Sequence, residues 1–595
     1  MSWRDNPVIF LNSKLWKYSE GNRHNIVLFL FLFLCANLVA LLDTFLIGFV
    51  LNLIQQEGLN ANNYLKIIGY LSLLIVINVV MWAFHGPARV IETKNAFLAR
   101  VNYKNYLLAG TMALPVEWHT DHHSGDTIDK IEKGSGALYS YAGDSFMLIE
   151  SVVRLIGSYA ALIYFNVSSL YIVAVMTVIT SYIILKFDKI LVGQYTKLFG
   201  AENTISAKVY DALSNIVTVI ILRVEKPVLK AISKRMQQPL SLFVTNNKVN
   251  EIKWFLVFTC TVVMTVWVLG SYLYQQVLVG GVIAIGTLYT LYGFVDRING
   301  LFFRFAYMYA DIVRAKTQVM NAEIIAKEFK DKLNFKEVAL GKHWENLEIS
   351  DLNFSYSAAG KNLHLNKVNL SIKRGEKIAL VGASGSGKTT LLKIIRGLYE
   401  PHKLTIKVDG KILPHGFNDI SHEISLIPQE PEIFATTIKE NITVGIDRPL
   451  VEIKWFTDLA RFTEVAERLP KKFDSSVVEK GVNLSGGEKQ RLALARGLMA
   501  SEDKAIVLLD EPTSSVDFRN EMHIYENVFK EFKDKAVISS IHRLHLLPLF
   551  DRIYVFSRGK VVTSGSFKEL LKNSPDFQEI WDKYNSTLPK AERRK

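Results

Sequence analysis

The residues with the clearest chemistry form an unbroken run from 382 to 390. The run reads Gly382, Ala383, Ser384, Gly385, Ser386, Gly387, Lys388, Thr389 and Thr390. It matches the pattern G-x-x-x-x-G-K-[ST], in which glycines let successive N–H groups point at one anion. Lys388 can reach the terminal phosphates, and the Thr389 hydroxyl can hold Mg²⁺. The run therefore predicts a nucleotide site.

A strand and a helix must flank this loop if it is to hold phosphate. Residues 377–381 have the apolar pattern of a buried strand, and residues 390–397 have that of a helix. The free N–H groups and positive dipole end of the helix would face the same phosphates. A glycine-serine turn that matches by chance is the alternative, and the flanking elements disfavour it.

Three acidic or basic groups follow apolar runs of strand length further along the chain. Asp510 and Glu511 end one such run, and His542 ends another. A carboxylate at the C-terminal end of a buried strand beside this kind of loop is where Mg²⁺ is held. Glu511 is placed to polarise an attacking water, and His542 to contact a terminal phosphate. Tyr356 either stacks on adenine or is an ordinary strand aromatic.

The bulk properties limit the class of protein. A chain of 595 residues implies several domains, and the formal net charge of +13 admits a nucleic-acid partner. Long apolar runs offer a better explanation of the charge, because inner loops of membrane proteins are rich in lysine and arginine. The two cysteines, Cys35 and Cys260, lie in apolar runs and imply neither a disulfide framework nor a cysteine metal site. We expect no secretory signal and no nucleic-acid partner.

The first half of the chain contains segments long enough to cross a membrane as helices. Six are readable, at roughly 26–51, 66–86, 146–165, 167–187, 254–275 and 278–303. The long connections 87–145 and 187–253 are rich in lysine and arginine, which places them and both termini in the cytoplasm. Their helical patterning predicts helices extended out of the membrane, with a short crossing helix at each tip.

Charged residues inside these segments are functional candidates by default. Glu150 and Arg154 are spaced to neutralise each other, and Asp296, Arg297 and Arg304 lie toward the inner end of the last segment, where snorkelling is the simplest expectation. Asp43 has no local partner in the sequence. It either faces an aqueous cavity that a transported substrate enters or makes a buried structural hydrogen bond.

Three histidines lie in the first long connection, at His119, His122 and His123. His119 and His123 fall on one helix face and are a possible metal pair. The alternative is a polar contact surface at an exposed tip, and the lack of an apolar shell favours it.

A second motif, just before the Asp510 strand, identifies a family resemblance. Its residues are Leu484, Ser485, Gly486, Gly487 and Glu488, followed by Lys-Gln-Arg. The stretch resembles the signature motif of ABC ATPases, with Glu488 where glutamine is common. By this resemblance 382–389 is the Walker A loop, Gln429 the Q-loop glutamine and a Mg²⁺ contact, and Asp510 and Glu511 the Walker B aspartate and catalytic glutamate. His542 is then the switch histidine.

The resemblance extends over nearly the whole chain. Asp517 looks like the D-loop aspartate, in Ser-Ser-Val-Asp rather than Ser-Ala-Leu-Asp, and 478–481 looks like a loop that touches the partner's cytoplasmic helices. Residues 114–126 and 211–225 resemble coupling-helix regions. In this family the signature of one subunit caps ATP held by the Walker A loop of another, so the resemblance implies a dimer. Both Glu511 and His542 are present, which favours a homodimer, and a heterodimer stays open.

The expected protein is multidomain, with an all-α six-helix transmembrane domain followed by an α/β P-loop ABC ATPase domain. The expected divisions are 1–315 for the membrane domain, 316–345 for a linker, 346–580 for the ATPase domain and 581–595 for a basic tail. The cofactors are ATP and Mg²⁺, and the partners are a second copy and membrane lipid. The expected location is the cell (inner) membrane, with the ATPase domain in the cytoplasm.

The expected function is ATP-driven export or flipping of a hydrophobic or amphipathic substrate. Lipids, peptides, glycolipids and drug-like molecules all remain open. The alternatives are import on the same scaffold, or a membrane ATPase that acts as a regulator or channel. Leader-peptide cleavage is not expected.

Overall fold

The computed structural model describes residues 6–329, 340–341, 343–356, 363–477 and 484–587. The chain divides into two compact units. One comprises Met1–Leu114 with His122–Phe329, and the other Pro115–Asp121 with Lys330–Lys595. The loop at 478–481 that the sequence singles out, and most of the predicted linker, lie outside the described residues.

The first unit is helical throughout its described length. Its helices are α1 Pro7–Tyr18, α2 Arg23–Ala40, α3 Leu42–Glu57, α4 Tyr64–Met112, α6 Ser124–Gly143, α7 Ser145–Phe165, α8 Ser169–Ser214, α9 Ile216–Ile221, α10 Glu225–Gln237, α11 Leu240–Val279 and α12 Ile285–Lys327. The short helix α5, Val116–Asp121, follows α4 in the chain and groups with the second unit. The short helices α5 and α9 stand where the sequence predicts one at each loop tip.

Five helical stretches within the described residues are long and apolar enough to cross a membrane. They are Arg23–Glu57, Tyr64–Met112, Ser124–Phe165, Ser169–Ser214 and Glu225–Val279. The predicted sixth segment begins at the end of α11 and continues into α12, after a break at Gly280, which has a left-handed φ of 63°. Helix α12 carries Asp296, Arg297 and Arg304 and is not among the five. A count of six crossings therefore stays a prediction.

The core of the helical unit lies where α8, α11 and α12 pack together. Val257, Val268, Phe294 and Ile298 are fully buried there. Beside this core α8 and α11 are joined by an ion pair between Asp188 and Lys253, whose side chains are 3% and 4% exposed. A buried ion pair contributes to stability only while both partners are present.

The second unit is an α/β domain. Its strands are β1 Asn346–Phe354, β2 Leu365–Lys373, β3 Lys377–Val381, β4 Lys403–Val408, β5 Lys411–Ile412, β6 Ile424–Ile427, β7 Ile506–Asp510, β8 Ala536–Ser540, β9 Arg552–Ser557 and β10 Lys560–Gly565. Its helices after α5 are α13 Lys388–Ile395, α14 Ile438–Thr443, α15 Leu450–Leu459, α16 Thr463–Arg468, α17 Gly486–Ala500, α18 Phe518–Glu531, α19 Phe567–Asn573 and α20 Pro575–Thr587.

Two sheets build this domain. The six-stranded sheet has the order β10-β9-β3-β8-β7-β6, in which every neighbouring pair except β10–β9 is parallel. Strands β3, β7 and β8 are buried along their whole length, as strands covered on both faces must be. Because they are adjacent and parallel, their carboxyl ends meet at one edge, which is where ligands bind in such sheets. The four-stranded sheet, β2-β1-β4-β5, is antiparallel.

Candidate ATP site

The glycine-rich loop joins β3 to α13, the strand–loop–helix context that the sequence predicts. The helix begins at Lys388 and ends at Ile395, about two residues earlier at each end than expected. Gly387 precedes it with φ of 106°, and a Cβ there would lie 2.7 Å from Leu365. Only glycine suits this position, which lets the loop turn directly into the helix N-terminus.

Two side chains of the loop, those of Lys388 and Ser386, are placed to bind an anion. The Lys388 ammonium donates to the carbonyl oxygens of Gly382 at 2.8 Å and Ala383 at 3.3 Å, so it lies folded over the loop. Burial lowers the pKa of Lys388 below its ordinary value, and a bound phosphate would favour its charged form. The Ser386 hydroxyl is buried without a hydrogen-bond partner among the described residues, as expected of a group that binds a ligand oxygen.

Two of the three predicted magnesium ligands, Thr389 and Asp510, are in contact at the sheet edge, whereas the Gln429 side chain contacts Glu511. Thr389 Oγ1 donates to Asp510 Oδ1 at 3.0 Å, although the two residues are 121 positions apart in the sequence. Burial raises the pKa of Asp510 above its ordinary value, although the hydrogen bond from Thr389 and the charges of Lys393 and Lys388 oppose this shift. A hydroxyl and a carboxylate oxygen at this separation suit the oxygen preference of Mg²⁺.

Glu511 sits between the two other predicted polar groups. Gln429 Nε2 donates to Glu511 Oε2 at 3.0 Å, and His542 Nε2 lies 3.2 Å from Glu511 Oε1. The Glu511 backbone has φ of 48°, a left-handed conformation that costs a non-glycine residue of order 1 kcal/mol or more. This backbone turn directs the carboxylate away from the strand and toward the loop.

The phosphate-binding loop, Gln429, Glu511 and His542 line a cavity of about 460 Å³. Its wall comprises Leu363, His364, Ser384, Gly385, Ser386, Gly387, Lys388, Thr389, Thr390, Gln429, Glu511, His542, Arg558 and Gly559. Four residues of this wall were not predicted from the sequence, namely Leu363, His364, Arg558 and Gly559. Arg558 and Gly559 both have positive φ and form the tight turn between β9 and β10, so an Arg-Gly pair between two strand patterns was the available signal.

Tyr356 lies near the loop but is not part of this wall. Its hydroxyl is 3.2 Å from Thr390 Oγ1, and its ring contacts His364 and Tyr399 edge-on at 4.9 and 5.2 Å. The side chain is about half exposed, at 48%. The exposed ring is available for stacking, which keeps both interpretations of this residue physically possible.

The signature residues start a helix instead of lining the cavity. Ser485 caps α17 and forms a reciprocal capping box with Glu488, at 3.3 and 2.8 Å. Against the effect of burial, hydrogen bonds from Ser485 and the ion pair with Arg468 hold the pKa of Glu488 below its ordinary value. The capping box and the ion pair with Arg468 therefore explain why a glutamate is suited to position 488. Within the described residues, none of 484–488 belongs to the wall of the cavity.

Gln490 joins three of the predicted motifs, and its role was not foreseen. Its side-chain amide donates to Ser514 Oγ at 2.7 Å and to the Gln429 carbonyl at 3.4 Å, and its oxygen accepts from Ser515 N at 2.7 Å. Asp517, at the end of the same loop, caps α18 by accepting from Asn520 N. The side chain of Gln490 therefore connects the signature helix to the loops after β6 and β7.

In the helical unit, Asp43 has a partner that the sequence did not reveal. Arg297 of α12 pairs with the Asp43 carboxylate and donates to the Ala40 carbonyl at 3.1 Å. Arg304 pairs with Glu150 at 2.8 Å, so neither arginine follows the snorkelling expectation. The expected Glu150–Arg154 pair is present at 3.0 Å.

The histidines of the first long connection do not gather ligands around one point. Within the described residues, no group of three or more His, Cys, Asp or Glu side chains is arranged to hold a metal ion. His119 instead packs edge-on against Trp118, at 5.2 Å between ring centroids.

Comparison with known proteins agrees with this geometry. The family model described as "ABC transporter transmembrane region" matches residues 26–294, and the model described as "ABC transporter" matches residues 365–514. The chain belongs to the ABC transporter family. This ABC transporter joins one membrane region to one ATPase domain in a single chain, which is the exporter-type half-transporter arrangement.

Several relatives of this ABC transporter match over a little more than a third of the chain. ABC transporter B family member 21 of Arabidopsis thaliana is 37% identical over 38% of the chain and 18% of its own length. The heterocyst differentiation ATP-binding protein HepA of Nostoc is 37% identical over 38% of the chain and 37% of its own length. The chain thus spans between about a fifth and two fifths of these relatives.

Longer matches cover both domains. The beta-(1-->2)glucan export ATP-binding/permease protein NdvA of Rhodopseudomonas palustris is 28% identical over 79% of this chain and 78% of its own length. A solved structure of a bacterial Atm1-family ABC exporter with ATP bound superposes with a TM-score of 0.81. It covers 95% of this chain and 100% of its own at 19% identity, which establishes the shared fold of a helical membrane domain followed by an ATPase domain.

Proposed function

We propose that this ABC transporter is an ATP-driven exporter that moves a hydrophobic or amphipathic substrate across a membrane by alternating access. The observation that carries the proposal is the arrangement around Glu511. A possible general base, held by Gln429 and His542, lies on the wall of the cavity that the phosphate-binding loop forms. Hydrolysis, and not only nucleotide binding, is what such an arrangement serves.

The roles of the site residues follow from their positions. Residues 382–390 would cradle the phosphates and Tyr356 would stack on adenine. Thr389, Asp510 and Gln429 would hold Mg²⁺, which supplies charge neutralisation to the phosphates. Glu511 would activate water, and His542 would hold Glu511 and contact the terminal phosphate.

A second copy of the chain is the proposed partner. The signature residues 484–488 are absent from the described wall of the cavity, so a second subunit would supply them. Apolar side chains around α9 support an assembled state, because Val217, Ile221 and Leu222 are 65%, 72% and 63% exposed. Exposed apolar clusters of this kind are typical of interaction surfaces. A homodimer provides two equal sites.

The proposed domain boundaries are those predicted from the sequence. We propose a membrane domain over 1–315 with six crossings, the sixth being the apolar part of α12, then a linker over 316–345 and an ATPase domain over 346–580. Residues 581–595 would form a basic tail whose first part continues α20. The proposed location is the cell (inner) membrane, with the ATPase domain in the cytoplasm, because the long cytoplasmic connections are basic.

Export is favoured over import by the similarity to NdvA, which is named as a glucan export protein. The test uses inverted vesicles in which the ATPase domain faces outward. Addition of ATP should fill them with a fluorescent amphiphile, and the Lys388→Ala protein should not fill them. ATP-dependent emptying of the vesicles would indicate import. Uptake that persists without hydrolysis would indicate a channel.

A further inference from the structure

A cluster of charged side chains lies deep in the helical unit, apart from the ATP site. It comprises Asp43 of α3, Glu150 and Arg154 of α7, and Arg297 and Arg304 of α12. Arg154 also donates to Asn37 Oδ1 at 3.1 Å and lies within electrostatic range of Asp43, Arg297 and Arg304. The five groups therefore act as one cluster.

The cluster extends from the middle of the membrane-spanning segments, at Arg154 and Arg297, toward their inner end, at Glu150 and Arg304. Arg297 is 12 residues into α12 and Arg154 is 11 residues before the end of α7. At 1.5 Å per residue these positions are about 18 and 16 Å along their helices, against a hydrocarbon core of ~30 Å. Charged groups at this depth are costly in lipid and mark substrate pathways or structural pairs.

The charges in the cluster do not balance. Three arginines share two carboxylates, because Glu150 pairs with both Arg154 and Arg304 while Asp43 pairs with Arg297. Asp296 is the nearest further carboxylate in the sequence, but it is turned ~100° around α12 from Arg297. The described cluster thus carries one surplus positive charge.

The surplus charge is accessible. The Arg304 and Arg154 side chains are 36% and 30% exposed, and the Asp43 side chain is 42% exposed. The ion pair between Asp188 and Lys253, by contrast, is closed off, with side chains 3% and 4% exposed. Three members of the cluster are therefore open at the surface of the chain.

An apolar cavity of about 810 Å³ lies among α1, α7, α8 and α12, and none of the three arginines is part of its wall. Its wall includes Leu155, which follows Arg154, and Phe305, which follows Arg304. Leu148, Ile184 and Met308 continue the wall. Its volume is within the range of small-ligand sites. An apolar chamber beside a cationic cluster suits a molecule with a charged end and an apolar end.

We propose that the cluster of Arg154, Arg297 and Arg304 binds the acidic head of an anionic amphiphile, and that this molecule class is the cargo. The arginine forks offer paired N–H donors that match the oxygens of a phosphate or carboxylate. The neighbouring cavity receives the apolar chain. Asp43 is then a positioning residue that holds Arg297 until an anion competes for it. The cargo assignment rests on the proposed transport function, whereas the anion site does not.

The test measures equilibrium binding of radiolabelled dodecyl phosphate to the full chain in phosphatidylcholine nanodiscs, without ATP. Dodecyltrimethylammonium, with the same chain and opposite charge, is the matched probe. Arg304→Gln is the informative variant, because it removes the surplus arginine and leaves each carboxylate one partner. The control is Arg314→Gln, an exposed arginine further along α12 that stacks over Phe199 at 4.7 Å.

Arg304→Gln should weaken dodecyl phosphate binding about tenfold or more, as expected for a lost hydrogen bond to a charged group. The cation should bind weakly to every protein, and Arg314→Gln should behave as the unmodified chain. Asp43→Asn should tighten anion binding, because the competing carboxylate is gone. Equal binding of anion and cation, unchanged binding in Arg304→Gln or weaker anion binding in Asp43→Asn would each overturn the proposal.

Two further arms complete the test. Displacement of dodecyl phosphate by millimolar inorganic phosphate would assign a small free anion, and resistance to it would assign an amphiphile. ATPase activity is measured in the same nanodiscs. If Arg304→Gln loses binding and the unmodified chain hydrolyses no ATP, the anion site is kept and the transport function is rejected. ATP hydrolysis together with equal binding of dodecyl phosphate and dodecyltrimethylammonium would reject the anion site and keep the transport function.

Discussion

The Gln429 side-chain amide donates a 3.0 Å hydrogen bond to Glu511, while His542 approaches the other oxygen of the same carboxylate at 3.2 Å. These residues follow three strands of one parallel sheet, β6, β7 and β8. The carboxylate is thus held from both sides, so its direction depends on two loops as well as on its own strained backbone. Any motion of either loop alters the position of the proposed base.

Replacement of Glu511 by glutamine should lower kcat for ATP hydrolysis about 100-fold or more, because a general base typically contributes that much. ATP binding should persist, and the protein should remain as a nucleotide-trapped closed dimer. Phosphate release and retained nucleotide are the measurements. Glu526→Gln, an exposed carboxylate on α18, is the control. Normal hydrolysis by Glu511→Gln would contradict the role of this residue.

Gln490→Ala should uncouple the signature helix from the loops that it joins. We expect kcat to fall about tenfold from the loss of hydrogen bonds to Ser514 and Ser515. The affinity of the phosphate-binding loop for ATP should change little, because Gln490 is not in the wall of the cavity. Gln578→Ala, which removes a hydrogen bond to Leu571, is the matched control. A change in KM alone would argue against this linkage.

The buried pair of Asp188 and Lys253 should be sensitive to single replacement and tolerant of double replacement. Lys253→Met should destabilise the protein by about 3–5 kcal/mol, because an unpaired carboxylate remains buried. The double variant Asp188→Leu with Lys253→Met should recover most of that loss. Thermal unfolding in detergent compares Lys253→Met, Asp188→Leu and the double variant with the unmodified protein. Additive losses would show that the two side chains do not act as a pair.

Lys377 should make the stability of the ATPase domain depend on pH. Its ammonium donates to three carbonyl oxygens, of Gly375, Phe532 and Lys535, at 2.7–2.9 Å. Burial lowers its pKa from 10.5 to about 8. Between these values the folded protein binds fewer protons than the unfolded chain, so the free energy of unfolding rises with pH. Below pH 8 the contribution of Lys377 is constant.

The measurement for Lys377 is the unfolding temperature of the full chain in nanodiscs between pH 7 and pH 10. The increase above pH 8 should be smaller in Lys377→Met, which should also be less stable overall because three carbonyls lose their donor. Lys560→Met, an exposed residue of β10, is the control. Parallel pH profiles for the unmodified protein and Lys377→Met would exclude Lys377 as the source.

The nucleotide site was predictable from sequence because its geometry depends on residues that are close together in the chain. The loop at 382–389 carries its own geometry in its glycines, and the strands around it are apolar and short. The carboxyl-end positions of Asp510, Glu511 and His542 follow from strand patterning alone, because adjacent parallel strands end at one edge. The contribution of Arg558 to the cavity was not predictable in this way, since it depends on how β9 packs beside β3.

The membrane charges were the least predictable part for the same reason. Arg297 and Asp43 are separated by 254 positions, and no periodicity relates them. A snorkelling arginine and one paired within the bundle have the same local sequence. The sixth crossing was ambiguous because the same arginines lower the apolar character of α12. Only packing of helices distant in sequence distinguishes these cases.

The Asp43–Arg297 pair also bears on how the chain is made. At about 5–20 residues per second, a separation of 254 residues means that Asp43 is synthesised roughly 13–50 s before its partner. The carboxylate of Asp43 therefore precedes its ion-pair partner and forms this pair only after α12 has been made. The first membrane segment therefore completes its packing against α12 late in biogenesis. In a nascent chain truncated before Arg297, this segment would lack one of its interhelical contacts.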